Sequence, residues 1–289
     1  MIKSIKVKAA AKVNLTLYVT GKRADGYHDL NSIMQSVGLY EYVTLTANDS
    51  GAVTISCDKD GIPCDDRNIA VKCAYRFFEK AGVTDSGLHI DIQKNIPVQA
   101  GLAGGSADGA AVLRGLNEMY ARPLSESDLL SVGLSVGADI PFCLTGGTAL
   151  AEGVGDILTP LAPMCSAVFV IVKPEIGIST AQAYGAVDRS GKCTDIPNVD
   201  TTDLSSISAA LHNDFEAALS VPEINELTDK LRSYIGCRGA CMSGSGSAVF
   251  GLFDDFSTGE QCLEDIRKIV PFAALALPVT KGTEVIENN

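Results

Sequence analysis

Residues 97–111, PVQAGLAGGSADGAA, place glycines at 101, 104 and 105 directly ahead of an alanine-rich stretch. A chain with this pattern must turn tightly and then enter a helix. The first turn of that helix carries unpaired N–H groups and the positive end of the helix dipole, and glycines let an anion approach the main chain. The guest that suits such a cradle is a polyphosphate. On glycine content alone, the same residues read equally as a flexible connection into a helix.

Two familiar phosphate loops are excluded by spacing. A Walker A loop needs Gly-Lys-Ser/Thr after its second glycine, but Gly104 is followed by Gly105 and Ser106. The dinucleotide fingerprint G-x-G-x-x-G is absent from 97–111. Its nearest approach, Gly244-Ser245-Gly246, has Val249 at the third position and precedes an apolar strand.

The flanking pattern supports a helix. Leu88, Ile90 and Ile92 alternate as a strand feeding the loop, and Ala110, Leu113, Leu116 and Met119 recur at helical spacing beyond it. Upstream, the odd positions from Val7 to Val19 are apolar and most even ones polar, which predicts a long half-buried strand. Its period puts Lys12 and Asn14 on one face, about 6.8 Å apart along the strand. Strands are expected at 42–47 and 53–57, and a helix over Asn68–Gly82. Ser125 with Asp128 opens another helix, closed by a turn at Gly137-Ala138-Asp139-Ile140-Pro141.

Residues 153–163 read as a connection. The second half holds strands at 167–172, 248–253 and 273–279, with helices near 179–188, 206–219, 223–234 and 258–269. With 289 residues, 46% of them hydrophobic, the chain can bury two cores. The expectation is α+β in two domains, 1–155 and 156–289, with a ligand cleft between them.

A formal charge of −12 argues against a nucleic-acid or anionic-membrane partner, so phosphate recognition must be local. No apolar run reaches the ~18 residues of a membrane span, and nine scattered cysteines without a C-x-x-C pair suit buried thiols in a reducing cytoplasm. Cys237 and Cys241 lack a second pair or a nearby histidine, so zinc is disfavoured and the metal ligands are unknown.

Taken alone, Lys12 reads as a solvated strand lysine and Asp139 as a capping carboxylate. The alternative is that they meet at the mouth of the phosphate loop, the lysine keeping the carboxylate ionised while it takes a proton from a hydroxyl. Arg23-Ala24-Asp25-Gly26-Tyr27-His28 is either an ordinary Asp-Gly turn or a binding turn bearing two flat rings. The stretch 243–247 is a tight turn, or it brings backbone against the first glycine loop.

In this order, Ala11 to Leu15, Gly21 to His28, Pro97 to Ala107, Gly137 to Pro141 and Ser243 to Gly246 resemble the GHMP kinases over nearly the full length. The resemblance implies a ribosomal-protein-S5-domain-2-like N-terminal domain, a ferredoxin-like C-terminal domain and an active site in the cleft. It implies ATP as co-substrate with Mg2+, and a cytidine diphosphate-linked methylerythritol as the small-molecule acceptor. Pro97, Val98, Gln99, Ala100, Gly101, Leu102, Ala103, Gly104, Gly105, Ser106 and Ala107 would hold the phosphates, with Asn68 near the adenine. Asp139 would be the general base and Lys12 its charged partner. Tyr27 and Tyr184 would sandwich the cytosine, His28 would bond its edge, and Asn14 and Thr180 would lie near the sugar alcohol. Tyr184 stands where similar proteins often have phenylalanine, and Gln99, Ala100 and Ala103 stand in a loop usually richer in glycine. The rivals are a mevalonate- or homoserine-type kinase, a nucleotide-binding protein without chemistry, and an oxidoreductase, which the failed fingerprint disfavours.

Overall fold

The computed structural model describes residues 2–84, 87–190 and 195–288. The first half runs β1 (Ser4–Lys22), β2 (His28–Ala47), β3 (Val53–Cys57), α1 (Ile69–Ala81), β4 (Leu88–Gln93), α2 (Gly104–Met119), α3 (Glu126–Leu134), α4 (Ile140–Thr145), β5 (Thr148–Gly153) and β6 (Ile157–Pro160). The second half continues with β7 (Val168–Lys173), α5 (Thr180–Ser190), α6 (Leu204–Ala210), β8 (His212–Asn213), α7 (Asp214–Leu219) and α8 (Pro222–Arg232). It closes with β9 (Cys237–Met242), β10 (Val249–Phe253), α9 (Phe256–Ile266), β11 (Phe272–Ala276) and β12 (Thr283–Asn288).

Strands β1 and β2 form one long antiparallel hairpin, paired from Ser4↔Thr46 to Lys22↔His28 and turned by residues 23–27. The first sheet is ordered β12-β1-β2-β4-β3, with β5 and β6 continuing from β2 and β8 from β1. The second is ordered β11-β7-β10-β9. Numbered within that domain, the order is fourth, first, third, second, the split βαβ arrangement of ferredoxin-like domains.

Odd-numbered side chains of β1 from Ile5 to Leu15 enter the main core, as alternation requires. The expected half-buried strand is corrected, because Lys12, Asn14, Thr16 and Tyr18 are also buried. The glycine-rich loops cover their face: the Lys12 amide donates to Leu102 O and the Asn14 amide to Ser243 Oγ. Helix α2 is buried from Ala107 to Met119 on nearly every side. In β7, Phe169 and Ile171 join the core shared with the first half while Val168, Val170 and Val172 join the second, so both sheet faces are covered.

Three expectations need revision. The helix expected over 206–219 is two helices, separated where His212 and Asn213 pair in parallel with Thr16 and Leu17. Asn213 enforces the break: its Oδ1 accepts from Phe215 N and Glu216 N, and its Nδ2 donates to Met242 O and Gly244 O. The connection expected at 153–163 contains β6, which pairs with β5. A division at 155/156 is not kept to the end of the chain, because β12 returns to pair with β1.

Candidate active site

A cavity of about 620 Å³ opens where the loop before α2, the start of α4, the start of α5 and the turn between β9 and β10 converge. Residues 97–106 line it together with Lys12, Asn14, Asp139, Thr180, Tyr184 and 244–246. Ala107 is fully buried beneath the loop.

The loop is held in an unusual shape. Gln99, Gly101 and Ala103 have φ of 52°, 71° and 59°, a region that costs a non-glycine residue about 1–2 kcal/mol. The scaffold supplies the restraint. Ser247 N donates to Gln99 O, Ala248 N to Ala100 O, Ser243 Oγ to Gly101 O and Lys12 N to Leu102 O. The stretch 243–247 therefore does bring backbone against the first glycine loop. With its carbonyls engaged from outside, the loop enters α2 through Ala103, which has no side chain to cap the first-turn N–H groups. Those donors are left for a ligand.

Beneath the loop lies a cluster that the sequence reading missed. Lys94 Nζ donates to Glu41 Oε1 at 2.6 Å and to Asp108 Oδ2 at 2.7 Å, and all three side chains are at most 4% exposed. Burial pushes the Asp108 carboxyl up to about 7 against the pull of Lys94, and burial likewise raises Glu41. The only available signal was a carboxylate set inside an apolar helix, SADGAA.

Lys12 and Asp139 face the same cavity. The expected pairing is corrected: among the described residues Lys12 forms no ion pair, and its ammonium donates to Asn14 Oδ1 at 2.6 Å. Asn14 is held in turn by Ser32, to which its Nδ2 donates at 2.7 Å. Asp139 occupies the cap position of α4, yet its carboxylate makes no capping bond. Both charges reach the buried Cys143 thiol, which burial and then Asp139 raise and Lys12 lowers.

The acceptor-side residues are only partly assembled. Tyr184 and Thr180 line the cavity, and Thr180 Oγ1 lies 3.3 Å from Ser245 Oγ. Tyr27 is 67% exposed on the hairpin turn and does not line the cavity, so no sandwich with Tyr184 is formed. The Tyr184 ring instead stacks on His28 at 4.6 Å and meets Phe215 edge-on. Burial, and then the charge of Asp139, push the Tyr184 hydroxyl up to about 12. His28 Nε2 lies 2.7 Å from Asp188 Oδ1, a carboxylate that also pairs with Lys22. Asn68 lies outside the cavity lining, its side chain capping α1 through Ala70 N and donating to Pro63 O.

Two family models match the chain: the GHMP kinases N terminal domain at residues 68–147 and the GHMP kinases C terminal at 195–271. A curated Clostridium botulinum protein, 4-diphosphocytidyl-2-C-methyl-D-erythritol kinase, is 41% identical over 91% of this chain and 95% of its own length. A protein of the same description from Desulfitobacterium hafniense is 43% identical over 86% and 87% of the two chains. A crystal structure of 4-(cytidine 5'-diphospho)-2C-methyl-D-erythritol kinase superposes with a TM-score of 0.81 at 32% identity, covering 94% of this chain and 98% of that one. Homoserine kinase from Cytophaga hutchinsonii, TM-score 0.75 at 20% identity over 99% and 98% of the chains, shares the fold. With an uncapped helix start and a lysine and a carboxylate lining one interdomain cavity, and with both family halves matched, the chain belongs to the GHMP kinases and is an ATP-dependent small-molecule kinase.

Proposed function

We propose that this kinase transfers the γ-phosphoryl group of ATP to the 2-hydroxyl of 4-diphosphocytidyl-2-C-methyl-D-erythritol, a step of the non-mevalonate isoprenoid pathway. The observation that carries this reading is Asp139, among the described residues the one carboxylate lining the cavity, which makes no capping bond and shares that cavity with the phosphate nest and Tyr184.

Phosphoryl transfer passes through a loose transition state, so the protein acts by positioning and charge. The loop amides and the α2 dipole hold the β- and γ-phosphates. Asp139 accepts the proton of the acceptor hydroxyl. Lys12, steered by Asn14, places a fixed positive charge beside the transferring group. Asn14 and Thr180 border the sugar-alcohol end and Tyr184 the base, with Tyr27 closing onto the base from the hairpin turn.

The donor set suits Mg2+ only in part, since no group of three or more His, Cys, Asp or Glu among the described residues could hold a metal. The Ser106 hydroxyl at the start of α2 would hold the ion together with oxygens of the triphosphate, which leaves the Asp139 carboxylate free to take the proton. When bound, Mg2+ neutralises charge on the β- and γ-oxygens. Among the described residues no helix is long and apolar enough to cross a membrane. The acceptor is a water-soluble nucleotide derivative, and the proposed setting is the cytoplasm.

The test is a coupled ADP-release assay with ATP and three acceptors. Turnover on the diphosphocytidyl acceptor, with none on mevalonate or homoserine, is the expected result. Preferred turnover on either alternative reassigns the substrate, and ATP binding without ADP release from any acceptor removes the catalytic reading.

A further inference from the structure

The phosphate nest has two ends, and one buried ammonium joins them. Its entrance is fixed by Glu41, whose Oε2 accepts from Asn95 N at 2.7 Å and whose Oε1 accepts from Ile96 N at 3.3 Å. Its exit is α2, which carries Asp108 in its second turn. Lys94 Nζ bonds both carboxylates, at 2.6 and 2.7 Å. The contact under the nest is tight: a Cβ on Gly104, the first residue of α2, would lie 3.1 Å from Glu41 Oε1. The carboxylate that Lys94 holds is thus packed directly against the start of α2.

The cluster is expensive. Three ionisable groups are removed from water, and Asp108 Oδ1 is buried with no hydrogen-bond partner. A buried ion cluster of this kind is weak as a source of stability, and apolar side chains of similar volume often do as well. Geometry is what it supplies. It ties residues 94–96 to residue 108 across a loop held in left-handed conformations, and a displacement of about 1 Å in such a site is enough to cost binding and rate.

We infer that Lys94 is the positioning residue of the phosphate nest, holding its entrance and the first turns of α2 in register through Glu41 and Asp108. The inference rests on the kinase reading for the identity of the anion. It assigns Lys94 no contact with the reacting atoms.

The test is direct titration of ATP into the intact protein and its Lys94→Met, Lys94→Arg and Asp108→Asn variants, with the acceptor KM and melting midpoint measured alongside. Lys94→Met and Asp108→Asn are expected to weaken ATP binding on the order of tenfold. The acceptor KM is expected to stay within about twofold, and Lys94→Arg, which can still bridge two carboxylates, to recover most of the loss. The double variant Lys94→Met/Asp108→Asn is expected to be no weaker than Lys94→Met alone, because both changes break one network. Unchanged ATP affinity in a folded variant overturns the inference. So does an acceptor KM that rises in step with the ATP dissociation constant, which marks general loosening. Should Lys94→Met fail to fold, the isosteric Asp108→Asn decides by the same criteria. If the wild-type protein binds ATP but does not phosphorylate the diphosphocytidyl acceptor, the proposed substrate fails while the ATP titrations still decide the role of Lys94.

Discussion

The Ser243 hydroxyl donates to the Gly101 carbonyl at 2.9 Å, and a Cβ added at Gly101 would lie 1.9 Å from the Ser243 carbonyl oxygen. The two glycine-rich segments, 142 residues apart in sequence, are therefore packed backbone to backbone. Their contact bridges the two halves of the chain and fixes the shape of the cavity between them.

Gly101→Ala tests that contact. Its φ of 71° disfavours any side chain, and the atom in the way is main chain, which cannot swing aside. Strain and overpacking of this kind cost about 1–3 kcal/mol. At about 2–4 °C per kcal/mol the melting midpoint should fall by several degrees, and ATP affinity should fall with it. Ser243→Ala, which deletes a hydroxyl and adds no clash, should cost about 1 kcal/mol. Calorimetry and ATP titration read both, and an alanine at 101 that leaves both quantities unchanged would refute the close approach.

Asp139→Asn separates chemistry from folding. Because the Asp139 carboxylate makes no capping bond to α4, the amide should leave the unfolding free energy within about 0.5 kcal/mol of wild type. Loss of a placed base is expected to lower kcat about 10²–10⁴-fold with little change in acceptor KM. Wild-type kcat in this variant would remove Asp139 from proton transfer.

The parts of the site that repeat along the chain were readable, and the parts assembled across it were not. Period-two apolar spacing exposed β1 and β4, and Asn68 with Gly82 marked both ends of α1, where they act as N-cap and left-handed C-cap. Most of β2 escaped because residues 32–37 are all buried, which erases the alternation, and because two extra β2 residues, Gly38 and Leu39, interrupt its pairing with β1. Glu41, Lys94 and Asp108 carry no periodic signal, since a buried ion cluster is specified by three positions spread over 67 places in the sequence. The Lys12 partner was misread for a related reason. A carboxylate elsewhere in the cavity looks stronger on charge, but Asn14 two places along the strand is nearer and is held by Ser32.

The Asp108 carboxyl makes stability depend on pH in a defined direction. Its folded-state value is about 7 against an ordinary 3.8, so folding takes up a proton between those limits. The stabilising contribution is complete below about 3.8 and is lost as pH rises through about 7. Asparagine cannot titrate. Asp108→Asn should therefore gain stability relative to wild type on going from pH 5 to pH 8, on the order of a few kcal/mol. Denaturant midpoints at the two pH values measure this, and parallel curves for the two proteins would mean that Asp108 stays ionised throughout.

Tyr184 can be tested as the platform for the acceptor base. Its ring already carries one flat partner, His28, at 4.6 Å with 19° between the planes, and Phe215 supports it edge-on at 4.8 Å. A base entering beside Tyr184 must take the place of His28 or stack on the opposite face, and either route needs the ring rather than its hydroxyl. Tyr184→Phe should therefore leave acceptor KM within about twofold, since stacking energy resides in the ring. Tyr184→Ala should raise it by a factor of about 5 to 150, the equivalent of about 1–3 kcal/mol per stacked base. ATP KM should stay near wild type in both variants, because the phosphate nest is anchored by β1 and by residues 243–248. A rise in ATP KM matching the rise in acceptor KM would show that the ring supports the whole cavity, and an acceptor KM unmoved by alanine would place the base elsewhere.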